Sequence, residues 1–140
     1  QETLKLKQND LLVCEGGDIG RTAIWKGEIE ECYYQNHIHR LRAKDGDIDP
    51  VFYMYWFQFA IQMKSIYGTF GNRTTIPNLS GKTLSKFALP TPALPEQKRI
   101  AETLRTIDRK VEHHENKKAT LQDFFKVALN NLMKGEDLDA

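Results

Sequence analysis

The chain has 140 residues, with 20 Lys and Arg against 19 Asp and Glu, a formal net charge of +1 and 40% hydrophobic content. That length suits one ordinary domain or a smaller domain with an extension, and the composition excludes the disordered, collagenous and low-complexity classes. The longest apolar run, Val51 to Ile61, falls short of the roughly 20 residues a bilayer span needs and is broken by Gln58, so no membrane partner is expected.

The opening QETLKLKQND has no apolar leader core, and Cys14 and Cys32 have no second pair beside them. A cytoplasmic protein is expected, without a disulfide framework or a Cys-rich zinc site. From there DLLVCE and TAIW read as strands flanking GGDIGR, whose three glycines supply the positive-φ positions of a turn. CYYQNHIHRLRA, residues 32–43, is a third strand candidate, rich in aromatic and branched side chains. KDGDIDP ends it. Asp49 followed by Pro50 is the signature of an N-cap and a first helical residue, and the helix it opens is predicted to run to about Tyr67 with Gly68 as its C-terminal cap. Apolar residues cover most of that helix, which implies burial against the sheet. TFGNRTTIPNLSGKT, residues 69–83, reads as a polar loop, and KFALP as a short strand.

Pro90, Pro92 and Pro95 then force extended backbone, because each fixes its own φ and disfavours helix in the residue before it. They form a rigid boundary, and the expected domains are 1–92 and 93–140. From Glu96 to about Met133 there is neither proline nor glycine, and a helix of that length would reach about 57 Å, more than the preceding segment can bury. Along it Ile100, Leu104, Ile107, Val111, His114, Lys118, Leu121, Phe125, Ala128 and Leu132 alternate steps of four and three, the seam of a coiled coil. His114 and Lys118 place polar groups at the middle of the seam. In an antiparallel pair centred near position 116, Ile100 meets Leu132, Leu104 meets Ala128, Ile107 meets Phe125, Val111 meets Leu121 and His114 meets Lys118, so apolar always faces apolar. A parallel pair would set Lys118 against Lys118, which repulsion disfavours. The expected partner is therefore an antiparallel helix of a second copy or of another half of the same subunit. Phe124, Val127 and Leu129 lie beside the seam, where a further protein surface would cover them.

The charge is unevenly spread. No carboxylate lies between Asp49 and Glu96, while Lys64, Arg73, Lys82 and Lys86 fall in that interval among many aromatics. Buried aromatics need no acids nearby, but an acid-free cationic loop suits an anionic partner. Within it GNRTT offers Asn72, Arg73, Thr74 and Thr75, side chains that read base edges or hold phosphates, and Lys82 follows; Arg21 and Lys26 flank the second strand. The other reading of the loop is an ordinary solvated one. SGKT imitates the end of a P-loop, but the pattern needs glycine where Ile76 stands, so no nucleotide triphosphate site is expected. G-x-x-G within GGDIG fits a turn between strands better than a nucleic-acid clamp between helices. His37 with His39 on one strand face, and His113 with His114, lack further ligands at metal spacing and read as structural. Neither a catalytic constellation nor a metal or cofactor site is expected.

NDLLVCEGGDIGRTAIW, QNHIHRLR and GNRTTIPNLSGKTLSKFALPTPALPEQKRIAETLRTIDRKVE resemble the second half of a target recognition domain and the adjoining helix of a type I restriction–modification specificity subunit. The passage from the prolines into EQKRIAETL is the most specific part. The resemblance implies an α+β recognition domain that reads one half of a bipartite site in double-stranded DNA, followed by a long helix that spaces two such domains and docks methyltransferase subunits. A separate motor subunit, reached indirectly, would cleave. S-adenosylmethionine, ATP and Mg²⁺ would belong to those partners, leaving this chain non-catalytic. The family pattern has a further stretch before LLVCEGG and two domains with two helices in a full subunit, so a fragment or a half-subunit is expected. The alternatives are a coiled-coil oligomerisation module whose aromatic domain binds another protein, and the specificity segment of a single-chain restriction–methylation enzyme.

Overall fold

The structure, a computed structural model, describes residues 2–44, 46–63 and 78–135. Three short strands, β1 Leu11–Cys14, β2 Thr22–Ile24 and β3 Ile38–Leu41, form an antiparallel sheet in the order β2-β1-β3. Helix α1, Pro50–Gln58, passes into a π-helical stretch, Phe59–Met63; α2 is one turn, Gly81–Leu84, and α3 runs from Leu94 to Lys134. This is the α+β arrangement read from the sequence.

The strands pair as their pattern requires. Leu11 and Val13 alternate onto one face, 3% and 0% exposed, and sit opposite Ile24 and Thr22 of β2 and Leu41 and His39 of β3. Helix α1 covers that face. Its start is set by Asp49, whose Oδ1 accepts from the amides of Val51 (2.9 Å) and Phe52 (3.0 Å), with Pro50 in the first turn where a missing N–H costs nothing. Phe52, Tyr53 and Phe57 point into the core, and Thr22 Oγ1 donates to the Met54 carbonyl at 3.3 Å, tying helix to sheet. Phe57 stacks on Phe87 with ring centroids 6.0 Å apart, and Trp56 meets both rings edge-on. Complete burial of a ring such as Phe57 contributes on the order of 1.5–3 kcal/mol, so this aromatic group holds the segment after α2 against α1.

Several local expectations are corrected. The third strand is not continuous over 32–43: only Ile38–Leu41 pairs, with an isolated bridge between Lys5 and Tyr33 upstream. His37 adopts φ +74°, which turns the chain out of the ladder, so His37 and His39 do not share a strand face. KFALP makes no strand, although Phe87 is in the core. Within the expected loop over 69–83, Ser80 caps the turn α2; residues 69–77 lie outside the described residues, as do the helix end at Tyr67 and the Gly68 cap. Helix α3 begins at Leu94, because the Ala93 carbonyl already accepts from Glu96 and Gln97 while Pro95 needs no partner in the first turn.

The chain divides into two compact units, Gln1–Ala101 and Glu102–Ala140. The proline segment and the first turns of α3 belong to the first. Gln97 and Ala101 are 2% and 3% exposed and Ile100 packs against the core. The Gln97 side chain is fully used: Oε1 accepts from the Asp49 amide at 2.9 Å, and Nε2 donates to the carbonyls of Asp47 (3.0 Å) and Pro92 (2.8 Å). Tyr53 donates its hydroxyl to the Pro90 carbonyl at 2.8 Å, and burial pushes that hydroxyl above the ordinary phenol range. In the second unit the helical seam is open to solvent at Ile107, Val111, Leu121, Phe125 and Leu132, as are Phe124, Val127 and Leu129 beside it. Leu104 and Ala128 are half-buried; His114 and Lys118 are exposed.

Candidate nucleic-acid interface

The sheet has two ends, and the backbone connections decide which candidate residues meet. At the end marked by Cys14, Thr22 and Ile38, the Cys14 amide donates to the Arg21 carbonyl at 2.9 Å. On the other side of β1 the Glu15 amide donates to the His37 carbonyl at 2.8 Å, and the Glu15 carbonyl accepts from the Leu79 amide at 2.7 Å. His39 fixes the same segment, its Nε2 donating to the Leu79 carbonyl at 2.5 Å. Leu79 leads through Ser80 into α2, so Lys82 arrives at this end, exposed, three residues after the bond to Glu15.

The turn between β1 and β2 packs here too. Gly20 has φ +80° and lies so close to Ile61 that a Cβ would collide with that side chain. Glycine is therefore required twice over, by backbone sign and by space. The turn consequently seats beside the π-helical stretch that leads towards residue 64, while Leu79 receives the chain returning from residue 77. Asn72, Arg73, Thr74 and Thr75 lie outside the described residues, but both flanks of their segment are anchored at the sheet end that carries Arg21 and Lys82. Lys26 is not part of this group: it follows β2 at the opposite end, where the Trp25 amide donates to the Asp10 carbonyl and the Lys26 amide to Glu28 Oε2 at 3.2 Å.

Two arginines that a charge map would count as exposed cations are engaged internally. Asp10 is fully buried, and Arg42 grips it in a two-pronged pair, Nε to Oδ1 at 2.6 Å and Nη2 to Oδ2 at 2.7 Å, while the Lys7 amide donates to Oδ2 at 2.7 Å. Burial alone would raise the Asp10 carboxyl, but the hydrogen bonds from Arg42 and Lys7 and the charges of Arg42 and Arg40 outweigh it and hold the group below its ordinary value. Arg40 donates to the carbonyls of Thr3 (3.0 Å) and Lys5 (3.3 Å) and lies 5.2 Å over the Tyr34 ring. These two side chains strap the N-terminal segment to β3. Nothing in the sequence distinguishes Asp10, the acid that Arg42 grips, from any other surface aspartate.

The SGKT segment is a helix cap. Ser80 Oγ accepts from the Thr83 amide at 3.2 Å and bonds the Thr83 hydroxyl at 2.9 Å, which opens a helix of only 4 residues. His113 and His114 meet edge-on at 5.8 Å on α3. Among the described residues no group of three His, Cys, Asp or Glu side chains is placed to hold a metal ion, and no helix is long and apolar enough to cross a membrane.

This end of the sheet therefore carries the exposed cations Arg21 and Lys82 together with described residues on both sides of 64–77. Comparison with protein families gives an independent finding. A family model described as the type I restriction modification DNA specificity domain matches residues 1–123, the whole first unit and the first turns of the second. The chain belongs to the family of type I restriction–modification DNA specificity domains.

Proposed function

We propose that this chain reads one half of a bipartite site in double-stranded DNA and docks methyltransferase subunits through α3, as part of a type I specificity subunit. The gathering of Arg21, Lys82 and both roots of the 64–77 segment at one end of the sheet supports this reading most directly. Arg21 and Lys82 would hold phosphates, and Asn72, Arg73, Thr74 and Thr75 would reach base edges. Lys26, at the other end of the sheet, would touch flanking backbone only. The chain itself would be non-catalytic and need no cofactor; S-adenosylmethionine, ATP and Mg²⁺ would serve the methyltransferase and, indirectly, the restriction subunit.

Assembly would use the open seam of α3 against an antiparallel helix from a second copy or from another half of the subunit. The register about position 116 supports that direction, since His114 and Lys118 then meet and the apolar positions match throughout. Fluorescence distances between labels near position 100 on paired chains test it: the labels should be far apart, and close approach would rule out the antiparallel pair. For DNA reading, the chain assembled with methyltransferase subunits should methylate one motif, and Arg73→Ala should weaken or relax that motif. An unchanged pattern and affinity would remove the 71–75 segment from the reading site. The purified chain alone should neither methylate nor cut.

A further inference from the structure

We infer that the loop Tyr34–His37, with Gln35 and Asn36 at its tip, is a second base-reading element that prefers adenine-containing pairs, an inference that rests on the DNA-specificity reading above. The loop borders an open cleft of about 480 Å³ whose wall also includes Glu15, His37 and His39. It stands at the same end of the sheet as Arg21 and Lys82, because the His37 carbonyl and the Leu79 amide bond the two sides of Glu15. Its backbone is fixed on both sides: the Tyr34 amide donates to the Leu4 carbonyl at 3.1 Å, and His37 is held at φ +74° by the bond from the Glu15 amide. A non-glycine residue in that region stores conformational energy and is retained where surrounding bonds over-determine it. Gln35 and Asn36 are nevertheless exposed, and among the described residues their amides have no hydrogen-bond partner.

A loop tied at both ends, presenting two carboxamides with no partner among the described residues, is suited to base edges. Each carboxamide can accept from adenine N6–H and donate to N7 together, a two-bond match that other pairs do not offer in the major groove. Glu15 in the wall of the same cleft argues against phosphate as the occupant. Glu15 would repel a phosphate but would accept from an exocyclic amino group of cytosine or adenine. His39 is committed to Leu79 and the Tyr34 ring lies beneath Arg40, so the two amides, with the exposed His37 beside them, are the polar side chains at the tip of the loop.

The test is enrichment of the full chain against a pool of randomised DNA duplexes, followed by affinity measurements across a salt series. Gln35→Ala and Asn36→Ala should each relax preference at one or two base positions, by roughly 5- to 150-fold in discrimination, with the salt slope and thermal unfolding midpoint unchanged. Arg21→Ala should instead weaken all duplexes alike and make the slope shallower by about one. Gln35→Glu, which leaves only acceptors, should move preference towards cytosine at the affected position. If the wild-type chain enriches a motif and the amide variants enrich the same one at equal stringency, the loop is not a reader. A uniform loss with a changed salt slope would make it a phosphate contact and overturn the inference. If the wild-type chain enriches no motif, the DNA-specificity reading itself fails, and this inference with it.

Discussion

Gln97 satisfies an amide on one side and two carbonyls on the other from a position 2% exposed, so its amide chemistry cannot be imitated by a hydrocarbon or an acid. Gln97→Leu removes three part-buried hydrogen bonds to backbone, each worth about 0.5–1.5 kcal/mol, and should lower unfolding free energy by about 1–3 kcal/mol in urea titrations. Gln97→Glu keeps the acceptor but faces a carboxylate against the Asp47 and Pro92 carbonyls; it should be the worse variant at neutral pH and recover partly in acid as the group protonates. The Asp10 pair gives a second test at this scale. The unfolded chain takes up that proton near 3.8, whereas the folded protein, with the depressed value, stays ionised to lower pH. The pair's contribution is therefore complete above about pH 4 and is lost as pH falls through the folded value. Asp10→Asn should destabilise at pH 7, with the gap to wild type narrowing below pH 4. None of these partners was legible in advance, because a glutamine on a helix and an aspartate before a strand look like surface residues until the chain folds around them.

Among the elements, those with strong local signals were legible and those set by tertiary bonds were not. Asp49-Pro50 announced α1, and the proline-free run with its seam announced α3, since caps and period are written within a few residues. The strand β3 was overextended because aromatic and branched residues favour pleated backbone, while the actual break depends on the bond between His37 and Glu15, twenty-two positions away. KFALP failed for a related reason: Phe87 enters the core as expected of a strand residue, yet among the described residues the segment pairs with no strand. For the candidate site the sequence offers residue types but no sorting; only the sheet register separates Lys26 from Arg21. The turn between β1 and β2 yields the prediction for this scale. Gly20→Ala must displace Ile61 and hold alanine at positive φ, so it should cost on the order of 1–3 kcal/mol and disturb the roots of the 64–77 segment together with DNA affinity, readable by thermal unfolding and a binding titration.

Taken as a whole molecule, a net charge of +1 supplies little long-range attraction to DNA, so the proposed DNA contact would rest on local cations such as Arg21 and Lys82. If Arg21 and Lys82 each neutralise one phosphate, the logarithm of affinity should fall against the logarithm of salt with a slope of about −2; a slope near zero would favour a protein partner over DNA. The same economy governs how the parts could be exchanged. Because Tyr53 and Gln97 hold the Pro90 and Pro92 carbonyls and Ala101 closes the core, a recognition unit severed at the prolines leaves behind atoms that its own interior requires. A chimera joined there keeps its stability only where the incoming helix brings a glutamine and an alanine to those two places, whereas a junction after Ala101 carries the cassette whole. New specificities could then be assembled by recombination within α3, and the helix would serve as the splice point between what is read and how far apart it is read.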